Sequence, residues 1–389
     1  MWKTVKLGDV CDFQGGSQPP KKDFIYEERA EYVRFIQIRD FKSDKNLTYI
    51  PITKKNKICK KNEVLIGRYG ASVGKILVGL EGAYNVALMK TIPNEEQITK
   101  GWLQAYLKSP LFQNPLMEVS KRSAQNGFSK EDIDDFKIPL PPLAEQQRIV
   151  AKLDAAFAEI DKAVEAADMS GKKLQEQQTL NTENVFNETC SPFKKIVLGD
   201  VCDGVQYGTS SKCSKIGKYP VLRMGNIQNG AFDVSDLVYL DDEIEAKKYE
   251  LNKGDVLFNR TNSSVHVGKT GVFDEVDDYL FAGYLIRVNY LKDKVLPKFL
   301  SYYLNSRKIR EYGFSVMSES INQSNINGTK LKKYPFYEVP LEAQKNAAQK
   351  ISAVNRASDE AINLYRKKVK ALIKLKSALL ATELQSEAG

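Results

Sequence analysis

From Val150 onward, apolar or small residues recur at alternating steps of three and four: Leu153, Phe157, Ile160, Val164, Ala167, Gly171 and Leu174. That is a heptad seam. The positions between are mostly Lys, Asp, Glu, Gln and Ala, which suit a helix surface. Pro139, Pro141 and Pro142 hold the approach extended, and no further proline occurs until Pro192. The pattern predicts one long helix over 142–187; about 40 residues at roughly 1.5 Å each make some 60 Å. A second seam follows Pro340: Ile351, Val354, Ser358, Ala361, Tyr365, Lys368, Leu372, Leu375 and Leu379. Ile362, Val369, Ile373 and Leu380 widen its apolar face, and the helix is expected over 340–385. An isolated stripe of this kind reads as a core-facing helix. The length and the duplication favour a coiled coil between the two.

Outside these helices the pattern changes to short β-branched and aromatic runs, such as Tyr32–Ile38 and Tyr219–Met224, broken by Gly, Asn and Pro. The chain also repeats itself. VKLGDVCD at 5–12 returns as IVLGDVCD at 196–203, and EVLIGRYG at 63–70 as DVLFNRTN at 255–262. WLQAYLKS at 102–109 returns as FLSYYLNS at 299–306, and PLAEQ at 142–146 as PLEAQ at 340–344. A repeat of this size is a duplicated domain, each copy followed by its helix, and not a solenoid. The expected fold class is α+β. Two pseudo-symmetric domains, 1–141 and 193–339, each carry a twisted, mostly antiparallel sheet with short helices; the long helices 142–187 and 340–385 follow them.

Charge sharpens this division. Net charge is +9. Residues 1–141 carry 23 basic and 17 acidic side chains, and residues 193–339 carry 21 and 18. The first long helix with its flanks, 142–192, has 5 and 9, whereas 340–389 has 9 and 5. Basic globular parts fit a polyanionic partner such as nucleic acid. No run of 18 apolar residues is present and the first residues lack a signal-peptide core, so no membrane association and a cytoplasmic location are expected. Five cysteines without CxxC spacing read as free thiols.

Catalytic signatures are sparse. His266 is the single histidine, and no HExxH, GxSxG or methyltransferase-type Asn-Pro-Pro-Tyr/Phe run exists, so no catalytic residue and no metal site are expected. The Gly74–Lys75 and Gly268–Lys269–Thr270 steps resemble the end of a phosphate loop, but Tyr69 and Ser263 stand where its first glycine is needed. A glycine turn that presents a lysine to DNA is the better reading of both. Base reading needs donors and acceptors at groove edges, together with phosphate clamps. The candidates occupy matching places in the two halves. They are Arg68 and Tyr69 against Arg260, Thr261 and Asn262, and Gln37 and Arg39 against Arg223 and Asn226. Lys21, Lys22, Lys75, Tyr207, Lys212 and Lys269 suit phosphates. The polar segments 125–128 and 322–325 are further candidates. Surface ion pairs and ordinary loop solubility are the plain alternatives for all of these.

The PPLAEQQRIVAKLDAAF run at 141–157, its degenerate copy near 340 and the LGD opening of both halves resemble the specificity subunit of type I restriction–modification systems. The resemblance spans nearly the whole chain. It implies a non-catalytic subunit whose two target-recognition domains each read half of a bipartite double-stranded DNA target. The two helices would pack as an antiparallel coiled coil, set the spacing and dock two adenine-N6 methyltransferase subunits. Two restriction subunits would complete the nuclease. No cofactor is implied for this chain: AdoMet would belong to the methyltransferase, ATP and Mg²⁺ to the restriction subunits. The docking and spacer residues it implies are Leu143, Gln146, Ile149, Leu153, Phe157, Ile160 and Val164 on the first helix, and Ile351, Val354, Tyr365 and Leu372 on the second. The second copy departs from the first at Ala343 and Ala347, where Glu145 and Ile149 stand. Two rivals follow from the residues alone. A coiled-coil adaptor joining two protein-binding domains would show no salt-sensitive DNA affinity. A piece of a fused methyltransferase–nuclease would need motifs that are absent here.

Overall fold

The computed structural model describes residues 2–122, 126–228, 230–263, 266–275, 278–320 and 323–385. They form two compact units, Met1–Asp168 with Lys367–Gly389, and Met169–Arg366. Each unit therefore joins one β-rich domain to parts of both long helices.

The first domain is built on an antiparallel sheet of β1 (Cys11–Gly15), β2 (Leu65–Gly67), β3 (Ile76–Leu77) and β4 (Leu88–Pro93), in the order β1-β4-β2-β3. The second repeats it with β5 (Cys202–Tyr207), β6 (Val256–Asn259), β7 (Thr270–Val272) and β8 (Leu285–Tyr290), in the order β5-β8-β6-β7. Both central strands, β2 and β6, are buried along their whole length, which explains the unbroken apolar runs Leu65–Ile66 and Val256–Phe258. A smaller sheet accompanies each and contains one parallel pair, Phe35 with Ala83 and Val221 with Leu280. The expectation of a mostly antiparallel α+β fold holds.

Two helices in succession lead from each main sheet towards the long helix. In the first domain these are α1 (Lys100–Lys108) and α2 (Pro110–Arg122). The long helix α3 (Leu143–Cys190) follows. The second domain has α4 (Pro297–Asn305) and α5 (Arg307–Val316), then α6 (Leu341–Glu383). The break falls at Ser109 and Ser306, whose hydroxyls bond back to the Tyr106 and Tyr303 carbonyls at 2.7 Å and compete with the helical ladder. Helix α3 runs past its expected end to Cys190 because Phe186 and Cys190 are buried in the core of the second domain. Only Ser191–Lys194 then separates it from the next strand.

Each core recruits both helices in the same way. The first domain buries Ile149 and Leu153 from the start of α3 with Leu380 and Leu384 from the end of the chain. The second buries Ala347, Ala348 and Ile351 from the start of α6 with Phe186 and Cys190 from the end of α3. Within the first unit Lys152 pairs with Glu383 at 2.8 Å and Asp161 with Lys376 at 2.7 Å. Within the second, Gln178 reaches Asn355 at 3.2 Å, and Gly171 faces Tyr365. Ascending numbers on one helix meet descending numbers on the other, so the two run antiparallel in each unit.

The α3 seam lies inward throughout, from Val150 to Leu174. The α6 seam differs from the expected phase: Lys368, Ile373 and Leu375 face outward, while Val369 and Lys376 turn inward. The heptad runs four-then-three from Ile351, placing Asn355, Ile362, Val369 and Lys376 where Val354, Ala361, Lys368 and Leu375 were expected. Lys376 belongs there because its ammonium sits 4.8 Å from the Phe157 ring centre and reaches Asp161.

Candidate nucleic-acid interface

In the second domain, β6 delivers Arg260 to the end of the sheet. The Arg260 N–H donates to the Tyr284 carbonyl at 3.0 Å, and its carbonyl accepts from the Ile326 N–H at 2.9 Å. With both backbone groups tied, the side chain has a fixed origin. Its guanidinium lies over the Tyr207 ring, 4.9 Å from the centroid, and Nη1 donates to the Gly283 carbonyl at 3.4 Å. The Tyr207 hydroxyl accepts from the Gly328 N–H at 2.8 Å, so the supporting ring is itself anchored. Beside it, Thr261–Asn262 pairs with Ser324–Asn325, and Gln323–Asn325 continues as a hairpin with Ser318–Ser320.

The first domain builds the same place from different residues. Arg68 leaves the end of β2, and its N–H donates to the Ala87 carbonyl at 2.9 Å. Its guanidinium lies 5.1 Å from the Tyr69 ring centre, and Nε donates to the Phe128 carbonyl at 3.3 Å. Tyr69 bridges to Gly127, and the Gly70 N–H donates to the Asn126 carbonyl at 2.9 Å. In both domains the arginine thus meets the second polar segment proposed from sequence, although Gln125 and Asn322 at the heads of those segments lie outside the described residues.

The ring under the arginine comes from opposite sides in the two copies. Tyr69 follows Arg68 directly, where the second copy has Thr261. Tyr207 lies across the sheet, where the first copy has Gly15, and a Cβ on Gly15 would come 3.1 Å from the Arg68 Nη1. Gly127 completes the exchange: a Cβ there would stand 2.6 Å from Tyr69 Cδ1. Its counterpart Asn325 faces the smaller Thr261. Gly15 was not among the expected site residues, and Gly127 was expected only as part of the polar segment 125–128; a glycine opposite an aromatic, exchanged in the other repeat, was the available signal.

The remaining candidates fall at varied places. Lys21 and Lys22 are exposed on a turn after Pro19–Pro20, and Lys212 is exposed in a loop. Lys75 and Lys269 follow Gly74 and Gly268, whose φ values of 77° and 87° make both turns glycine turns. No helix follows either turn, as β3 and β7 begin at once, and no phosphate loop exists at either site. Gln37 is half-buried and Arg39 exposed. Arg223 is held by Asp236 at 3.0 Å.

Three expected contacts are corrected. Asn226 is buried; its Oδ1 accepts from the Arg223 N–H at 2.8 Å and its Nδ2 donates to the Asp233 and Asp236 carbonyls. It closes a turn and presents nothing outward. Asp40 does the equivalent job in the first domain, accepting from the Gln37 N–H at 2.7 Å. Thr261 is also buried, and its side chain does not reach the surface. Gln146 is fully buried and cannot meet a partner subunit. Its Oε1 accepts from the Thr99 N–H at 2.8 Å, and its Nε2 donates to the Gln97 and Pro141 carbonyls, each at 2.9 Å. Gln344 repeats this on the Leu296 N–H and the Lys294 and Val339 carbonyls. The PLAEQ and PLEAQ motifs are therefore clips that lock each long helix to its own domain. Ile149, Leu153 and Ile351 are core residues of the same junctions, whereas Leu143, Phe157, Val164, Val354, Tyr365 and Leu372 keep partial exposure and Ile160 is buried.

Among the described residues no acidic, Cys or His group has the spacing of a metal site, and no helix is long and apolar enough to cross a membrane. Burial pushes the thiols of Cys11 and Cys202 up to about 12 and those of Cys59 and Cys190 to about 11, so they stay protonated at neutral pH.

A duplicated α+β domain, each copy locked to an antiparallel helix pair and ending a buried strand in a ring-supported arginine, defines a protein with two equivalent candidate binding sites. The chain belongs to the type I restriction modification DNA specificity family, whose model matches residues 1–167 and 191–370. It is 23% identical to the specificity subunit of the type I restriction enzyme EcoKI of Escherichia coli K12, over 92% of this chain and 83% of that one. Its fold is that of a chain in a solved type I restriction–modification assembly, at a TM-score of 0.77 and 18% identity, covering 100% of this chain and 98% of the other. The HsdS subunit from Thermoanaerobacter tengcongensis matches at a TM-score of 0.52 and 18% identity, with coverages of 100% and 97%. The protein is accordingly a non-catalytic specificity subunit, the component that binds the DNA target sequence within a type I restriction–modification complex.

Proposed function

We propose that each β-rich domain reads one half of a split DNA target, with Arg68 and Arg260 as the principal donors to base edges. One observation carries this reading. The two arginines end equivalent strands, are tied by equivalent backbone bonds, and lie on an aromatic ring supplied from different positions in the two copies. A ring on one face leaves the guanidinium edge as a two-pronged donor, the arrangement that suits guanine O6 and N7. Retention of the arginine while its support is rebuilt fits a functional demand on the arginine. Tyr69, Gln37, Arg39, Arg223 and Asn262 supply further polar groups, and Lys21, Lys22, Lys75, Tyr207, Lys212 and Lys269 engage the backbone. Different residues at equivalent places fit half-sites of different sequence.

On the same reading the helix pair sets the gap between half-sites and docks two methyltransferase subunits through its outward faces. Met169 and Leu180 on α3 and Leu364, Ile373 and Leu375 on α6 are exposed apolar residues that support this. Two restriction subunits join them. AdoMet is held by the methyltransferase, ATP and Mg²⁺ by the restriction subunits, and the assembly works in the cytoplasm, where DNA and free thiols coexist. The test is a map of methylated adenines in cells expressing this chain with a cognate methyltransferase subunit, and with each alone. A split motif of constant gap, seen only with both, is expected. Methylation without a sequence motif, from a pair that demonstrably forms a complex, contradicts the reading and leaves an adaptor.

A further inference from the structure

The opposite charges of the two long helices have a local consequence in the second unit. A hollow of about 660 Å³ lies between the β-rich domain and the helix pair, and another of about 810 Å³ adjoins it, the two sharing Gly230, Tyr302, Ser352 and Arg356. Lys269, Arg356 and Arg366 line the first, and Lys298, Lys345 and Arg356 the second. Two acidic residues also line them. Asp274 is paired with Lys253 at 2.8 Å, and Asp359 accepts from the Gln178 amide at 3.4 Å. Among the described residues Lys269, Lys298, Lys345, Arg356 and Arg366 form no ion pair within 4 Å.

Three of the cations in the groove are specific to this half of the molecule. By the PLAEQ–PLEAQ alignment, Lys345, Arg356 and Arg366 replace Gln147, Ala158 and Asp168 of α3. Amides and hydroxyls, including Gln175, Asn305, Asn355 and Tyr302, line the first hollow beside Ile227 and Ile362, while Val272, Leu296, Pro297 and Ala348 give the second an apolar floor. Cations interleaved with neutral donors are the groups that meet phosphate and sugar oxygens; a protein-docking centre is depleted of lysine, whereas Lys269, Lys298 and Lys345 line this groove. One cation of the groove is also tied by the backbone to the strand that ends in Arg260. The Asn259 N–H donates to the Lys269 carbonyl at 2.8 Å, which sets Lys269 across the hairpin from the residue preceding Arg260.

We infer that this groove is a second, sequence-independent binding site for the DNA sugar–phosphate backbone, beside the second recognition domain. It rests only on the chain binding DNA and not on Arg260 reading a base. Its contribution is to hold duplex next to the second half-site whatever its sequence.

The test uses the full chain, a duplex of random sequence and a duplex carrying the methylation motif, each titrated across a range of salt. Neutralising two cations as R356Q/R366Q should lower the slope of log affinity against log salt by about 1.8, at roughly 0.9 per lost phosphate contact, equally for both duplexes. R356K/R366K, which keeps the charges, should restore the slope. Unchanged slopes in R356Q/R366Q overturn the inference, including the case in which that variant loses a protein partner instead. A loss confined to the motif duplex overturns it as well, because the arginines would then be reading bases. R260Q is the separate control: its loss should be confined to the motif duplex, so failure of base reading at Arg260 leaves the groove result standing.

Discussion

The two recognition domains solve one mechanical problem twice with different parts. Arg68 is supported by Tyr69, its neighbour in sequence, and this requires Gly15 and Gly127 to be small. Arg260 is supported by Tyr207 from across the sheet, with Thr261 and Asn325 filling the space that the ring occupies in the first copy. The helix junctions behave in the opposite way: Gln146 and Gln344 make the same three bonds to equivalent backbone groups. Where the domain must hold its helix, the copies have not diverged in geometry. Around the arginine, the guanidinium, its backbone tie and a stacked ring are common, while the ring's source and the residues that make room for it are exchanged.

That contrast can be broken most strongly at the clips. Gln146→Leu and Gln344→Leu each leave one N–H and two carbonyls buried without partners, at a cost of about 3 kcal/mol or more. Urea unfolding should show losses of similar size for the two; a loss under about 1 kcal/mol in either would show that the clips are not equivalent. The next effect is asymmetric. Gly127→Ala places a methyl group against Tyr69 and should cost about 1–3 kcal/mol as overpacking, whereas Asn325→Ala at the equivalent place should stay within about 0.5 kcal/mol. Equal effects would contradict the exchanged support.

Tyr207→Ala removes both the ring under Arg260 and the acceptor of the Gly328 N–H, about 1–2 kcal/mol together, while Tyr207→Phe keeps the ring and should lose about 1 kcal/mol. Phenylalanine should retain DNA affinity better than alanine. A phenylalanine variant as weak on DNA as the alanine variant would locate the tyrosine's role in its hydroxyl. The smallest effect compares the two turn caps. Burial raises the Asp40 carboxyl above its ordinary value, so the folded state favours the proton, and stability is lost as pH climbs past that raised value. Asn226 caps its turn without a charge. Asp40→Asn should therefore gain on the wild type as pH rises above the unfolded carboxyl's value of about 4, measured as the difference between their unfolding midpoints. A difference independent of pH would contradict the charge argument.

Much of this was legible from residues alone, for identifiable reasons. The repeat, both long helices and the α3 seam rest on periodicity, which burial of a continuous stripe imposes. The strand-end arginines were legible because matching positions in a repeat single them out. The α6 phase was not, because hydrophobicity favours Leu375 over Lys376, while the lysine stem packs inward and its ammonium reaches Asp161. Gln146 and Asn226 misled in the same way: a polar side chain whose partners are backbone groups far along the chain looks like a surface group. The supporting glycines were silent because their role is the space they leave.

The most direct test is to map methylated adenines with Arg68→Gln and Arg260→Gln, each in the full chain expressed with its methyltransferase subunit. The account predicts that each variant relaxes one half of the split motif, a different half in each case, with the gap unchanged. Relaxation of the same half by both, or of neither while methylation persists, would contradict the assignment of one arginine reader to each domain.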